Sequence, residues 1–315
     1  MRKISKVAVY GAGTMGAYIA QAFATHGLSV NLYSRSQKTL DTALSIMKTN
    51  IELLVEENML PASELEDAFK RITCTTSMED CAKDADMILE TIIEKHDPKR
   101  ELFALLDEIC PEDVIFASDT SGINIFELIP ARRQPYSIIA HYFSPAHLIP
   151  LVELVKGPET KGEVVESLRE MYIEMGKTPV VVEKMLPGFV VNRFQRAMAA
   201  EADYLLDNGF ITADQLDLAL KSSILFRGVI LGIIQRIDFS GVDSTVTIGR
   251  TTPVSTPPSE KKTITALYDA GHFGVKTGKG FYDYSGRKME DVLRERDRRL
   301  IRLWEVAKDF IKNPV

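Results

Sequence analysis

The chain reads as an α/β protein: a doubly wound parallel sheet over residues 1–184, followed by a smaller all-α domain over residues 185–315. Three observations predict it. Short apolar runs of strand length alternate with amphipathic helical stretches through the first half, the pattern of βαβ units. A glycine turn joins the first run to the first helix. After Lys184 the strand signals fade into segments rich in Ala, Leu and Asp at helical spacing. With 315 residues, 45% of them hydrophobic and 26% charged, the chain can bury two ordinary globular cores.

The strands come first. Val7–Tyr10, Val30–Tyr33, Met87–Thr91 and Val114–Ala117 are β-branched or apolar runs, and Met15–His26 and Lys38–Glu57 are the amphipathic stretches between them. Further strand-like runs are Ser137–His141, Leu151–Val155 and Pro179–Val182. The domain boundary falls near Met185-Leu186-Pro187-Gly188, ahead of the helical texture of residues 189–221. Thr212-Ala213-Asp214 starts a helix, because Thr or Asp satisfies the free amides there. Pro253, Pro257 and Pro258 mark residues 249–261 as a loop, and Met289–Ile311 is helical again.

Gly11, Gly13 and Gly16 have the GxGxxG spacing, with a strand before and a helix after. Gly11 permits the tight turn, Gly13 admits a pyrophosphate to the backbone, and Gly16 lets helix and strand pack. The amides of the following helix start, at Thr14 and Met15, then face the phosphates with a partial positive charge. This makes the first domain a Rossmann-type dinucleotide-binding fold. An acid at the end of the second strand would hold both ribose hydroxyls of NAD. Here Ser34 stands in its place and Arg35 follows, and a guanidinium beside hydroxyls suits a 2′-phosphate. The cofactor is therefore NAD(H) or NADP(H), with a lean towards NADP(H); Arg35 stacked on adenine or lying in solvent is the other outcome.

A net charge of −6 gives no support to a nucleic-acid partner. The basic cluster Arg294, Arg296, Arg298, Arg299 and Arg302 is interleaved with Glu290, Asp291, Glu295 and Asp297, the mark of a solvated helix face. Cys74, Cys81 and Cys110 have no metal-ligand spacing and suit reduced thiols. No apolar run reaches membrane-spanning length, and the first strand leaves no space for a leader, so a soluble cytoplasmic protein without a membrane partner is expected.

His141 ends one apolar strand and Glu153 lies inside the next. A charged side chain in such a strand needs a partner. Placed together, Glu153 would orient the imidazole and strengthen it as a base. Oxidising an alcohol needs a base for the hydroxyl proton while hydride leaves, and the reverse reaction needs the same group as an acid. His26, His96, His147 and His272 lie at a helix end or in loops and read as structural, with His147 close enough to border a substrate pocket.

At this point the sequence resembles the 3-hydroxyacyl-CoA dehydrogenase family over nearly its whole length. The stretches that carry the resemblance are VAVYGAGTMG (7–16), ADMILETIIEKHDPKRELFALLD (85–107), SDTSGINI (118–125), AHYFSPAHLIPLVELVKG (140–157), GKTPVVV (176–182), PGFVVNR (187–193) and FGVKTGKGFYDY (273–284). The resemblance implies that His141 is the general acid/base and Glu153 its partner. It implies that Ser121 and Asn192 hydrogen-bond the substrate oxygen or the histidine, and that Glu94 and Lys99 line the ribose and nicotinamide side of the cofactor. Read as residues alone, the alternative is that Ser121 is only a helix cap before Ile123 and Asn192 only a backbone cap in the interdomain turn. The family further implies an acyl-CoA substrate, fatty acid metabolism, and a homodimer through the helical domain.

Departures from the family lie on the substrate side. The usual NTSS is DTSG here, with Asp119 and Gly122 substituted, and Ser144 replaces an Asn. Where the family places basic residues for CoA, Thr39–Leu60 offers Lys48 alone against Asp41, Glu52, Glu56 and Glu57. The usual GPFELLD is replaced by Arg227–Ile233, in which Arg227 either holds a substrate carboxylate or lies on a helix edge. HYFSPAHLIPLVE also resembles relatives acting on free hydroxy acids, alcohols or aldehydes, such as pyridine-carboxylate dehydrogenases. The β-hydroxyacid dehydrogenases use a Lys in the helical domain, and Pro187–Ala200 contains none. A non-catalytic nucleotide-binding protein would keep the three glycines without needing both His141 and Glu153.

Overall fold

The computed structural model describes residues 3–251 and 262–289, and beyond them 291–293, 295, 296, 298, 299, 302, 303 and 306. The chain divides into two compact units, Met1–Met198 and Ala199–Val315.

The first unit is built on one eight-stranded sheet in the order β3-β2-β1-β4-β5-β6-β7-β8. Its strands are β1 (Lys6–Tyr10), β2 (Ser29–Tyr33), β3 (Ile72–Thr75), β4 (Met87–Glu90), β5 (Ile115–Ser118), β6 (Ser137–Tyr142), β7 (Leu151–Lys156) and β8 (Thr178–Val182). All neighbours are parallel except β6 and β7. The order reverses at β1, between β2 and β4, and so opens the crevice where such sheets bind dinucleotides. The expected strands are all present, and β3 is an addition to them.

Helices α1 (Thr14–Thr25), α2 (Gln37–Glu56), α3 (Glu64–Lys70), α4 (Met78–Ala82), α5 (His96–Ile109) and α6 (Gly162–Glu174) connect these strands. Strand side chains alternate between two cores. Val7, Val9, Met87, Leu89, Ile115, Ala117, Ile138, Ala140, Val152 and Leu154 pack with residues of α1, α2 and α6. Ala8, Tyr10, Ile88, Phe116, Ile139 and Val155 pack on the opposite face with residues of α4 and α5. Fully burying each large apolar side chain contributes about 1.5–3 kcal/mol, so polar residues inside these strands stand out. Glu90, Ser118, His141 and Glu153 are such residues, all buried. By the two-residue period all four project to the α4–α5 face.

α7 (Val191–Asp207) begins in the first unit and ends in the second. The second unit continues with α8 (Ala213–Leu220), a π turn at Lys221–Leu225, then α9 (Phe226–Ser240), α10 (Val242–Thr251) and α11 (Lys262–Asp269). Thr212 stands at the N-cap of α8, but its hydroxyl donates to the Asp214 carboxylate instead of accepting from the helix amides. Gly232, at φ 64°, breaks α9. Buried Asp238 fastens the segment that follows by accepting from the amides of Phe281 and Tyr282 and from the Tyr284 hydroxyl. Thr251 ends a helix where a loop is expected, and the proline segment 252–261 and much of the tail past Met289 lie outside the described residues. Among those described, no helix is long and apolar enough to cross a membrane.

Candidate active site

The glycine turn closes β1 onto α1 and fits a dinucleotide. A Cβ at Gly11 would lie 2.7 Å from the Thr91 carbonyl oxygen, and one at Gly16 only 1.8 Å from the Gly11 carbonyl oxygen. Both glycines therefore serve close packing, and the left-handed φ of 119° at Gly11 adds a second requirement. A Cβ at Gly13 would meet nothing within 4 Å. That side is open: no side chain caps α1, Gly13 and Thr14 are exposed, and the helix start leaves its amides free to face an anion. At the end of β2, the Ser34 hydroxyl accepts from the Ser36 amide at 3.4 Å, while Arg35 is exposed.

His141 and Glu153 face each other across the antiparallel β6–β7 pair. Imidazole Nδ1 lies 2.8 Å from Glu153 Oε2, and both side chains are buried. Glu153 Oε1 accepts from the amides of Val190 and Val191, at 3.0 Å each, which ties the start of α7 to the strand pair. Burial pushes the Glu153 carboxyl up, but the bonds from His141 and the two amides outweigh it and hold the group below its ordinary range. The acid is therefore ionised beside the imidazole. His141 Nε2 forms no hydrogen bond with a described residue.

Aromatic rings fix the imidazole plane. Phe143 and Phe189 meet it edge-on at centroid distances of 4.6 and 5.1 Å. Phe189 holds a left-handed φ of 44°, costly for a bulky residue and sustained by full burial of its ring. Gly122 stands 3.6 Å, measured from an added Cβ, from the Gly188 amide. The Thr120–Gly122 loop thus lies against the Pro187–Phe189 turn that leads to Asn192. Ser121 is exposed and Asn192 half-buried, each without a side-chain partner among the described residues.

Beside the His–Glu pair lies a cluster of carboxyls. The Lys99 ammonium is buried and lies 2.6 Å from Glu90 and 3.2 Å from Glu94. Lys99 reaches the site through Glu94, whose side chain is 44% exposed, and not with an exposed ammonium of its own. Glu94 also accepts from the Thr120 hydroxyl and the Ser121 amide. Burial is outweighed by those bonds and by Lys99, which hold Glu94 low, whereas at Glu90 burial wins over Lys99 and Ser118 and pushes the carboxyl up. Glu90, Ser118, Thr120, Phe143 and Phe189 escape a reading of the sequence alone. Glu90 carried the signal that marked His141: a charged residue ending a wholly apolar strand. Arg227 lies in the second unit, with its Nε shielded and unpartnered among the described residues.

Comparison with known proteins adds the family. Residues 6–185 match the NAD binding domain of 3-hydroxyacyl-CoA dehydrogenase, and residues 188–284 match its C-terminal domain. The chain is 33% identical over 284 residues to the 3-hydroxybutyryl-CoA dehydrogenase of Clostridioides difficile, covering 89% of this chain and 99% of that one. It resembles the solved 3-hydroxyacyl-CoA dehydrogenase of Archaeoglobus fulgidus with a TM-score of 0.77 and 27% identity, over 96% and 99% of the two chains. It also resembles the structure of 5-formyl-3-hydroxy-2-methylpyridine 4-carboxylic acid 5-dehydrogenase, an NAD+ dependent dismutase, with a TM-score of 0.73 and 27% identity over 99% and 100% of the two chains. The match to an NAD binding domain gives the lean towards NADP(H) no support. The chain belongs to the 3-hydroxyacyl-CoA dehydrogenase family and is an NAD-dependent dehydrogenase acting on CH–OH groups.

Proposed function

We propose that the enzyme moves hydride between NAD(H) and the C3 position of a 3-hydroxyacyl or 3-oxoacyl substrate, with His141 as general acid/base. The observation that supports this best is the buried His141–Glu153 pair at 2.8 Å, in which Nε2 bonds no described residue. In the oxidative direction Nε2 takes the hydroxyl proton, Nδ1 keeps its hydrogen on Glu153, and the carboxylate stabilises the imidazolium that forms. Ser121 and Asn192 donate to the substrate oxygen and polarise the bond that changes order. The nicotinamide supplies the hydride acceptor. Gly11, Gly13, Thr14, Met15 and Gly16 hold its pyrophosphate, Ser34 and Arg35 the adenosine end, and Glu94, supported by Lys99, the nicotinamide ribose.

A second substrate class, a free hydroxy acid, alcohol or aldehyde without CoA, is favoured by the charge of α2. Lys48, the one base of Thr39–Leu60, pairs with Glu52 at 3.9 Å, which leaves that face acidic towards an anionic nucleotide handle. The pyridine-carboxylate dehydrogenase matched over its full length acts on such a molecule. A panel of NADH and NADPH against acetoacetyl-CoA, free keto acids and aromatic aldehydes decides. Turnover with CoA thioesters alone rejects the second class, turnover with free acids or aldehydes alone rejects the first, and a preference for NADPH rejects NAD(H). The enzyme also pairs as a homodimer through its helical domain: α7 has no buried residue, and Phe194, Met198 and Tyr204 are exposed on it. Light scattering on the purified chain tests this, and a monomer overturns it.

A further inference from the structure

Near the carboxyl cluster stands a further carboxyl that the hydride-transfer chemistry does not use. Asp119 follows β5, and its backbone amide donates to the Glu90 carbonyl at the end of β4 at 2.8 Å. Its Oδ1 accepts from the amide of Tyr142, the residue after His141, also at 2.8 Å. One residue therefore ties together the ends of β4, β5 and β6. Its Oδ2 forms no hydrogen bond with a described residue.

The dinucleotide straddles the switch point between β1 and β4. The glycine turn and the Ser34–Arg35 end of β2 take the adenosine half, which leaves the β4–β5–β6 ends for the nicotinamide half. Asp119 stands at the centre of that half. We propose that Asp119 is a positioning residue of the nicotinamide half-site, where its carboxyl both clamps the strand end bearing His141 and sets the charge against which the nicotinamide ring binds.

The charged and titratable groups that act on it or feel it are Glu90 of β4, Glu94 of the loop after β4, Lys99 of α5, Tyr142 of β6, and Tyr172 of α6, whose hydroxyl bonds that of Tyr142. Among the described residues, Lys99 is the cation that faces these three carboxyls, and it is already shared by Glu90 and Glu94. Burial, with the charges of Glu90 and Glu94, pushes the Asp119 carboxyl well above its ordinary range, against the smaller pulls of the Tyr142 amide and Lys99. Asp119 thus exchanges a proton where a surface aspartate would already have lost it. The oxidised nicotinamide ring is a cation and the reduced ring is neutral. An ionised Asp119 favours the oxidised cofactor, while the neutral acid favours neither. By linkage, binding of NAD+ then releases a proton from Asp119 and binding of NADH does not.

The test measures cofactor binding, which does not depend on the substrate or on the role of His141. Dissociation constants of NAD+ and NADH are titrated over roughly pH 6–9 in wild type and in Asp119→Asn. The amide oxygen of Asn keeps the acceptor for the Tyr142 amide but cannot ionise. The ratio Kd(NADH)/Kd(NAD+) rises about tenfold with pH in wild type, equivalent to one pKa unit of coupling, and stays flat in the variant. Equal pH dependence in the two proteins, or a flat ratio in wild type, overturns the proposal. Calorimetry of wild type in two buffers of different ionisation enthalpy serves if the variant fails to fold. Proton release with NAD+ in excess of that with NADH supports the assignment, and equal release overturns it.

Discussion

Replacing Glu153 by Gln removes one charge from the site while nearly keeping the volume. In the wild-type pair, Glu153 Oε2 sits 2.8 Å from imidazole Nδ1, and Oε1 already holds two amides. The imidazolium formed as the hydroxyl proton arrives loses a charge-assisted hydrogen bond, worth about 1.5–3 kcal/mol. At 1.36 kcal/mol per decade this lowers kcat by about 10- to 150-fold. The loss falls on kcat, because the carboxylate stabilises charge that develops only as the reaction proceeds. Glu153→Ala would instead orphan the Val190 and Val191 amides at about 1–3 kcal/mol each, so its effect mixes stability with chemistry. The assay is steady-state turnover followed by nicotinamide absorbance, with thermal unfolding run alongside. A Gln variant that folds normally and keeps kcat within about threefold of wild type would refute the assignment of Glu153 as the partner that stabilises the imidazolium.

The glycines divide by the same geometry. Gly13→Ala folds with stability within about 0.5 kcal/mol of wild type but loses cofactor affinity at least tenfold, because its methyl enters only the space of the pyrophosphate. Gly16→Ala, whose Cβ meets the Gly11 carbonyl at 1.8 Å, loses about 2 kcal/mol or more of stability, and denaturant titration with cofactor binding separates the two. Asp107, bonded to Arg132 at 2.9 Å and Arg133 at 2.6 Å, sets a pH dependence. Burial pushes its carboxyl up, but Arg133 and Arg132 prevail and hold it below its ordinary range. A carboxyl depressed in the folded state contributes stability that is present above its unfolded pKa and lost as pH falls through the folded value. Asp107→Asn therefore flattens the acid limb of a plot of unfolding free energy against pH, and an unchanged limb shows that the pair does not matter.

Much of this architecture is legible in the sequence because strand, glycine turn and helix each carry a local signal. Ile72–Thr75 does not: it is a four-residue edge strand, only half-buried, and its Thr and Cys residues make no apolar run. The pairing of His141 with Glu153 is legible because two charged residues inside apolar strands, twelve positions apart, can satisfy each other only across a hairpin-like reversal. Glu90 obeys the same logic, yet its partner is a lysine nine residues on, folded back from α5, and nothing local announces that turn. The inward direction of Lys99 is hidden for the same reason. Phe189 escapes because its role depends on a left-handed backbone that sequence pattern assigns to its neighbour Gly188. Asp119 shows as a substitution in the sequence, but its consequence depends on how many carboxyls share one ammonium, and that is settled only by the fold.

Substitution of His141 by Ala, with turnover and NADH binding measured on one preparation, tests the general acid/base most directly. Turnover should fall by about 10²- to 10⁴-fold, the usual contribution of a positioned acid/base, while the NADH dissociation constant stays at its wild-type value. Turnover that survives in a variant still binding NADH normally would contradict the assignment of His141.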